Sequence, residues 1–155
     1  MPVFPLPTYR LSPKNQVTLP RDARSLGAVS EGGVVCGMPA HAIHKDPAKQ
    51  FTIITLMTVE ELTARESALR AEYDRQGVSP FEILNQLNAG LKQMTVDGQR
   101  RIVLPPHFVE YLGAERDLLF ICTNSTVYVW NPQHYVTWRG EPDETTRLTL
   151  DRFMV

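Results

Sequence analysis

The sequence predicts a mixed α+β fold, mainly β, in which two equivalent half-domains flank a helical insert. Three observations lead there. The chain repeats itself: Gln16-Val17-Thr18-Leu19-Pro20 and Arg101-Ile102-Val103-Leu104-Pro105 lie 85 positions apart. Leu26-Gly27-Ala28 and Leu112-Gly113-Ala114 lie 86 apart, and Val34-Val35-Cys36 answers Phe120-Ile121-Cys122 at the same spacing. A fixed-period repeat must be found before a fold is assigned, because it means two copies of one structural unit. Second, short apolar runs in both copies are punctuated by Pro, Asn, Ser and Gly, the pattern of short strands joined by turns. Third, two capping boxes, Thr58-x-x-Glu61 and Ser79-x-x-Glu82, stand between the copies and open helical patterns. The expected units are a first half-domain over 1–57, an insert over 58–91, a second half-domain over 92–139 and a tail over 140–155.

Each element follows from local chemistry. Tyr9-Arg10-Leu11 and Gln16-Val17-Thr18-Leu19 read as strands around a turn at Ser12-Pro13-Lys14-Asn15. Pro20 ends the second strand, and residues 21–26 have room for only one or two helical turns before Gly27. Strands over 33–38 and 51–57 complete the first half. The insert helices are expected over 59–76, stopped by Gly77, and over 80–89, opened by Pro80 and stopped by Gly90. Their apolar faces (Val59, Leu62, Leu69 and Tyr73; Phe81, Leu84, Leu87 and Leu91) should pack on the halves or on a neighbouring subunit. In the second half, strands over 94–96 and 101–104 flank a turn at 97–100, and Pro105-Pro106 opens a short helix ending at Gly113. Strands over 118–122 and 126–130 follow, and Asn131-Pro132 caps a last short helix through Trp138. The tail is polar and then ends in Leu148, Leu150, Phe153, Met154 and Val155. Composition leaves open whether it is disordered or docks locally.

Composition excludes several functional classes. The 155 residues are 43% hydrophobic and 21% charged, as in a soluble globular protein large enough for a real core. Sixteen Lys and Arg against 17 Asp and Glu leave a net charge of −1, with no general attraction to polyanions. The N-terminal Met1-Pro2-Val3-Phe4-Pro5-Leu6-Pro7 lacks the features of a signal peptide. No apolar run approaches the roughly 18 residues that cross a bilayer. The expected location is the cytoplasm, with no membrane partner. Cys36 and Cys122 sit in apolar strands and read as small core residues. No glycine-rich phosphate loop, Gly-x-Ser-x-Gly or His-Glu-x-x-His is present, so no enzyme, cofactor or small-molecule substrate is expected. His41-x-x-His44 lies in a Pro-marked loop without a third ligand, and His107 and His134 read as ordinary residues of short helices, so no metal is expected either.

Positive charge is concentrated on the duplicated turn segments. Over residues 9–24, Arg10, Lys14, Arg21 and Arg24 face Asp22 alone. Over 92–106, Lys92, Arg100 and Arg101 face Asp97 alone. A strand–turn ribbon fits the major groove of duplex DNA, where Arg pairs bidentately with guanine and Gln with adenine. Arg100 and Arg101 are the first candidates, then Gln16, Lys14 and Gln99, with Arg10 and Arg21 in the same basic segments. On the residues alone, solvated turn side chains are the plainer alternative. Asp97 reads as a turn-former that bonds backbone N–H groups, or as an acid orienting Arg101, since a carboxylate facing phosphate repels it.

The run Asp97-Gly98-Gln99-Arg100-Arg101-Ile102-Val103-Leu104-Pro105-Pro106-His107, followed by Tyr111-Leu112-Gly113-Ala114 and Val127-Tyr128-Val129-Trp130-Asn131-Pro132, resembles the second half of MraZ proteins. Asp97 and Arg101 match that family's Asp-x-x-x-Arg signature. Ser12-Pro13-Lys14-Asn15-Gln16-Val17-Thr18-Leu19-Pro20-Arg21 is similar to the related AbrB/SpoVT regulators. The resemblance implies a swapped-hairpin, double-psi-like β architecture. It also implies a sequence-specific transcriptional regulator of a division and cell-wall gene cluster, nucleoid-associated, gripping tandem promoter repeats as an octamer-like homo-oligomeric ring. The chain departs from the family at Ser12 and Gln16, where the first turn would carry Asp and Arg, and at Arg100, where a turn Gly is usual. If that Gly serves a positive φ, arginine there costs on the order of 1 kcal/mol. The departures keep two other readings open: an AbrB-like antitoxin whose arm is the segment 148–155, and a ring scaffold that no longer binds DNA.

Overall fold

The computed structural model describes residues 6–27, 29–44, 46–141 and 143–155. The N-terminal residues 1–5 and Ala28 of the first Leu-Gly-Ala lie outside the described residues.

Strands β1 (Thr8–Arg10), β3 (Val34–His41), β4 (Thr52–Met57), β5 (Lys92–Thr95), β7 (Asp117–Cys122) and β8 (Val127–Trp130) form one antiparallel sheet in the order β1-β7-β8-β4-β3-β5. Strands β2 (Gln16–Thr18) and β6 (Arg101–Val103) form a separate two-stranded ribbon. The pairing is reciprocal between the halves. The first strand of the first half, β1, pairs with β7 of the second, while β5 of the second half pairs with β3 of the first. Loop bonds repeat the exchange: Leu19 N–H donates to Arg100 O at 2.8 Å and Leu104 N–H to Asn15 O at 2.9 Å. Neither half closes its own sheet, so each depends on the other for main-chain partners.

This register corrects one sequence expectation. Tyr9 lies opposite Leu118, and its repeat partner Met94 lies opposite Val35. The structural equivalent of Val35 is therefore Leu118, 83 positions on, and Cys36 answers Leu119 rather than Cys122. The connection from Leu26 to Gly33 is three residues longer than that from Leu112 to Arg116, which carry the matching carbonyls (Val96 N–H to Gly33 O, Leu11 N–H to Arg116 O). A longer loop shifts the frame while the ladder stays in register. Cys36 is fully buried and Cys122 half-buried, and burial pushes both thiols up from their ordinary pKa.

The main core lies between the sheet's inner face and the ribbon. Val17 and Ile102 of the ribbon, Leu19, Leu26, Leu104, Phe108 and Leu112 pack on Val35, Ile54, Leu56, Leu118 and Val129. Period-two alternation sends Ile53, Leu119 and Trp130 to the outer face, where Tyr135 and Trp138 of α4 (Pro132–Arg139) cover them. Volume is traded between equivalent places in the core. Phe120 lies edge-on to Tyr9, with centroids 5.3 Å apart, whereas its counterpart Gly37 leaves room for Met94 and Phe108. A Cβ on Gly37 would come within 2.6 Å of Met94 Cε and 2.9 Å of Phe108 Cε2.

Helices start and stop where their caps dictate. Helix α1 (Val59–Gln76) begins at Thr58, whose Oγ1 accepts the Glu61 N–H at 3.1 Å, and ends at Gly77 with φ +70°. Helix α2 (Phe81–Gly90) starts one residue later than expected. Ser79 Oγ accepts from Phe81 N–H rather than from Glu82 N–H, so Pro80 stays outside the helix with ψ 6°. Helix α3 (Pro106–Leu112) ends at Gly113 with φ +64°. The matching first-half segment, Pro20 to Leu26, is one residue shorter than Pro105 to Leu112 and makes only a 3-10 turn, Arg24–Leu26. Helices α1 and α2 contact β3 but bury no residue fully. The tail, left open by composition, is helix α5 (Glu144–Met154), capped by Asp143 Oδ1 accepting from Thr146 N–H and exposed along its whole length.

Candidate nucleic-acid interface

The ribbon presents one face to the core and one to solvent. Val17 and Ile102 point inward, while Gln16, Thr18, Arg101 and Val103 point out, as strand alternation requires. Gln16 lies opposite Val103 and Thr18 opposite Arg101. Because the pairing is antiparallel, the two turns sit at opposite ends of this outer face.

The turns share one backbone design. In the second, Asp97 N–H donates to Arg101 O (3.0 Å) and Arg100 N–H to Asp97 O (3.1 Å). In the first, Ser12 N–H donates to Gln16 O (2.9 Å) and Asn15 N–H to Ser12 O (2.9 Å). Arg100 has φ +62° and Asn15 φ +60°, the two non-glycine positive φ values among the described residues. The leading side chain accepts from the same two N–H groups in each. Asp97 Oδ1 takes those of Gln99 (2.9 Å) and Arg101 (2.8 Å); Ser12 Oγ takes those of Lys14 (3.2 Å) and Gln16 (3.1 Å). Serine thus replaces aspartate as turn-former without altering the turn.

What aspartate adds is its second oxygen. Asp97 Oδ2 accepts from Arg101 Nε at 2.7 Å, and the pair is only partly exposed. The Arg101 backbone N–H, together with its guanidinium and the Gln99 N–H, holds the Asp97 carboxyl below the usual carboxylate range against the opposing effect of partial burial. Asp97 therefore both forms the turn and orients Arg101. The first turn has no such pair, and the Gln16 carboxamide has no hydrogen-bond partner among the described residues.

The candidate residues divide into groups. Lys14 and Gln16 lie at one end of the ribbon, and Gln99 and Arg101 at the other. Arg21 lines a shallow groove beside the second turn with Thr18 and Gln99. Arg10 stands apart on edge strand β1, opposite Asp117. Arg100 turns inward: its Nη1 donates to Val29 O at 2.7 Å and its Nη2 to Leu26 O at 3.2 Å. The left-handed backbone that makes arginine costly here also swings its side chain onto the carbonyls ending the 3-10 turn, and those two bonds offset the strain. Replacing Arg100 with Ala should therefore lower thermal stability by about 1–3 kcal/mol, read as a shift in melting temperature. Stability unchanged from the parent would contradict this role.

Four further residues shape the site. Thr18 and the half-exposed Val103 follow from strand alternation and were legible in that pattern. Arg116, whose Nη1 donates to Ser12 O at 3.0 Å, adds a cation at the first turn. Glu31 packs against Gly98 and adds an anion at the second. Neither had a sequence signal, because each is brought in by long-range pairing. His44 lies edge-on to Trp138 and its Nδ1 accepts from Asp46 N–H, while His134 stacks on Phe51. Among the described residues no cluster of metal-binding side chains occurs, and no helix is long and apolar enough to cross a membrane.

The family model described as "MraZ protein, putative antitoxin-like" matches residues 87–150, which contain the Asp97–Arg101 turn, β6, α3 and the closing β7–β8–α4 unit. The match to the MraZ family covers this part of the chain, less than half of its length. One relative, named Transcriptional regulator MraZ, from Acetivibrio thermocellus, is 34% identical over 53 residues. That alignment covers 34% of this chain and 37% of the relative, about a third of each. The first turn lies outside the residues matched to the family model, and its likeness to the second is carried by the shared backbone bonds.

Proposed function

We propose that this chain is a sequence-specific, DNA-binding transcriptional regulator, cytoplasmic and nucleoid-associated, and not an enzyme. The observation that carries this reading is the solvent-facing ribbon, where a pre-oriented Arg101 and a Gln16 carboxamide without a partner among the described residues share one exposed strand face. A two-stranded ribbon is one of the elements that the major groove admits. The reciprocal pairing of β1 with β7 and β5 with β3 supports the swapped-hairpin description. Arg101, Gln16, Lys14, Gln99 and Arg21 are the proposed contacts. Arg10, on the sheet edge, is placed to reach flanking phosphate, and Arg100 acts through the turn.

The protein acts as a homo-oligomer, an octamer-like ring on tandem promoter repeats, with a cell-division and cell-wall gene cluster as target. The physical reason for assembly is the small charge of each unit. A net charge of −1 and a few cations per ribbon give weak binding at cellular salt, because log K falls by about 0.9 per neutralised phosphate for each tenfold rise in salt. Linked copies make later contacts intramolecular and raise affinity by about 10²–10⁴. A mobility-shift assay on the DNA immediately upstream of the coding region tests the reading. Binding that disappears when assembly is blocked is the expected result. No shift at low salt would sink the regulator and leave a scaffold, and full affinity from a monomer would sink the ring.

One observation favours a second reading, an antitoxin that also neutralises a toxin. Helix α5 is wholly exposed, and Leu150, Phe153 and Met154 recur at helical spacing on one side of it. An arm of this kind suits helix-in-groove recognition. Co-purification of a small partner that is lost when residues 141–155 are deleted would support it.

A further inference from the structure

We infer that the two turns read different bases, Arg101 a guanine and Gln16 an adenine. One protomer's ribbon would then recognise a directional word rather than a palindromic one, with its A·T and G·C pairs about two to three base-pair steps apart. The inference rests on the reading of the ribbon as the DNA-contacting face.

The comparison between the turns isolates what each side chain is for. Both turns have the same main-chain bonds and the same left-handed fourth position. Ser12 Oγ alone satisfies the two N–H groups that Asp97 Oδ1 satisfies. The second carboxylate oxygen and the guanidinium it holds are therefore surplus to forming the turn. What the Asp97 contact does is fix Arg101 through Nε, which leaves its two terminal nitrogens to donate outward. Two parallel N–H donors on a held guanidinium match O6 and N7 of guanine.

The first turn replaces both members of that pair together, acid by hydroxyl and base by carboxamide, so the net charge of the pair is unchanged. Gln16 has one acceptor and one donating NH₂ with no partner among the described residues, which matches N6 and N7 of adenine. Both residues lie on the outer strand face, because their neighbours Val17 and Ile102 face the core. In the ladder, Gln16 is level with Val103 and Arg101 with Thr18. Two residue steps along the ribbon and one strand spacing across it put the two positions roughly 8 Å apart. At about 3.4 Å per base pair that is between two and three steps. Turns with equal side chains on this pseudo-twofold ribbon would read an inverted repeat. Unequal ones give the site a direction, with Val103 beside Gln16 free to meet a thymine methyl.

Selection of duplexes from a random pool by the full-length protein tests this, comparing the parent with Ser12→Asp/Gln16→Arg, Gln16→Ala and Arg101→Ala. The parent should select a word containing one A·T and one G·C position at the stated spacing. Ser12→Asp/Gln16→Arg should convert the adenine to guanine, with a preference change on the order of tenfold at that position, and leave the other position alone. Gln16→Ala, which keeps every backbone bond of the turn, should erase the adenine preference, and Arg101→Ala should erase only the guanine. A parent word unaltered by the Gln16 variants, or one in which Arg101→Ala relaxes both positions equally, overturns the inference while leaving the regulator intact. A parent that selects nothing at low salt overturns both.

Discussion

Phe108→Ala should destabilise this protein by about 3–5 kcal/mol, a large part of the roughly 5–15 kcal/mol typical of a whole domain. Phe108 is fully buried, on the helix that follows the ribbon strand β6. Its ring fills the space over Gly37, where the equivalent position in the other half carries Phe120. Gly37 beneath it has no side chain to fill the gap. A melting-temperature fall of about 6–20 °C is the corresponding observable. The same geometry predicts a coupling. Gly37→Ala alone should cost about 1–3 kcal/mol through overpacking against Met94 and Phe108. In the Phe108→Ala background the contact with the ring is gone and the flexible Met94 side chain can shift into the vacated space, so the cost of the methyl should shrink. A double-mutant cycle measures this directly. Strict additivity of the two substitutions would mean that the ring does not occupy the Gly37 space.

Arg101→Ala should weaken specific DNA binding by tenfold or more per protomer while leaving the fold nearly untouched. A bidentate arginine–guanine pair is worth about 1–3 kcal/mol against the wrong base. In an assembly that engages several repeats the loss recurs in every bound copy, so a multi-repeat duplex should show a steeper fall than a single-repeat one. Folding has little at stake, because the Asp97–Arg101 ion pair is partly exposed and such pairs contribute roughly 0–1 kcal/mol. The backbone bonds that build the turn go to Asp97 Oδ1 and survive the substitution. Titrating both duplexes by fluorescence anisotropy, with a melting curve for each protein, separates the two effects. Equal affinity for parent and variant would remove Arg101 from the interface, and a melting-temperature drop matching that of Phe108→Ala would make it a folding residue instead.

Legibility in the sequence followed the range of the interaction involved. The bounds of α1 were readable because Thr58 and Gly77 act on their immediate neighbours through one side-chain acceptor and one left-handed φ. The end of α3 at Gly113 and the ribbon turns were readable for the same reason. Asp97 as turn-former and orienter of Arg101 was readable because both partners lie within four residues. Ser79 shows the margin of such reasoning: it accepts from Phe81 N–H, and the helix starts a residue late. Arg100 was misleading from sequence alone. Its partners, the carbonyls of Leu26 and Val29, lie more than 70 residues away, and nothing local turns a surface arginine inward. The apparent match of Cys36 with Cys122 failed similarly, because a loop three residues longer in one half shifts numbering without shifting the strand ladder.

The amino-acid order by itself therefore determined the limits of α1, the end of α3 at Gly113 and the two matching turns, all set by contacts within a few residues. Only the tertiary structure decided that β1 pairs with β7 and β5 with β3, that Arg100 faces inward and that Gln16 and Arg101 share one exposed face. Those outcomes depend on which distant strands pair and in what register, and main-chain hydrogen bonds between remote segments carry no mark in the residues that make them.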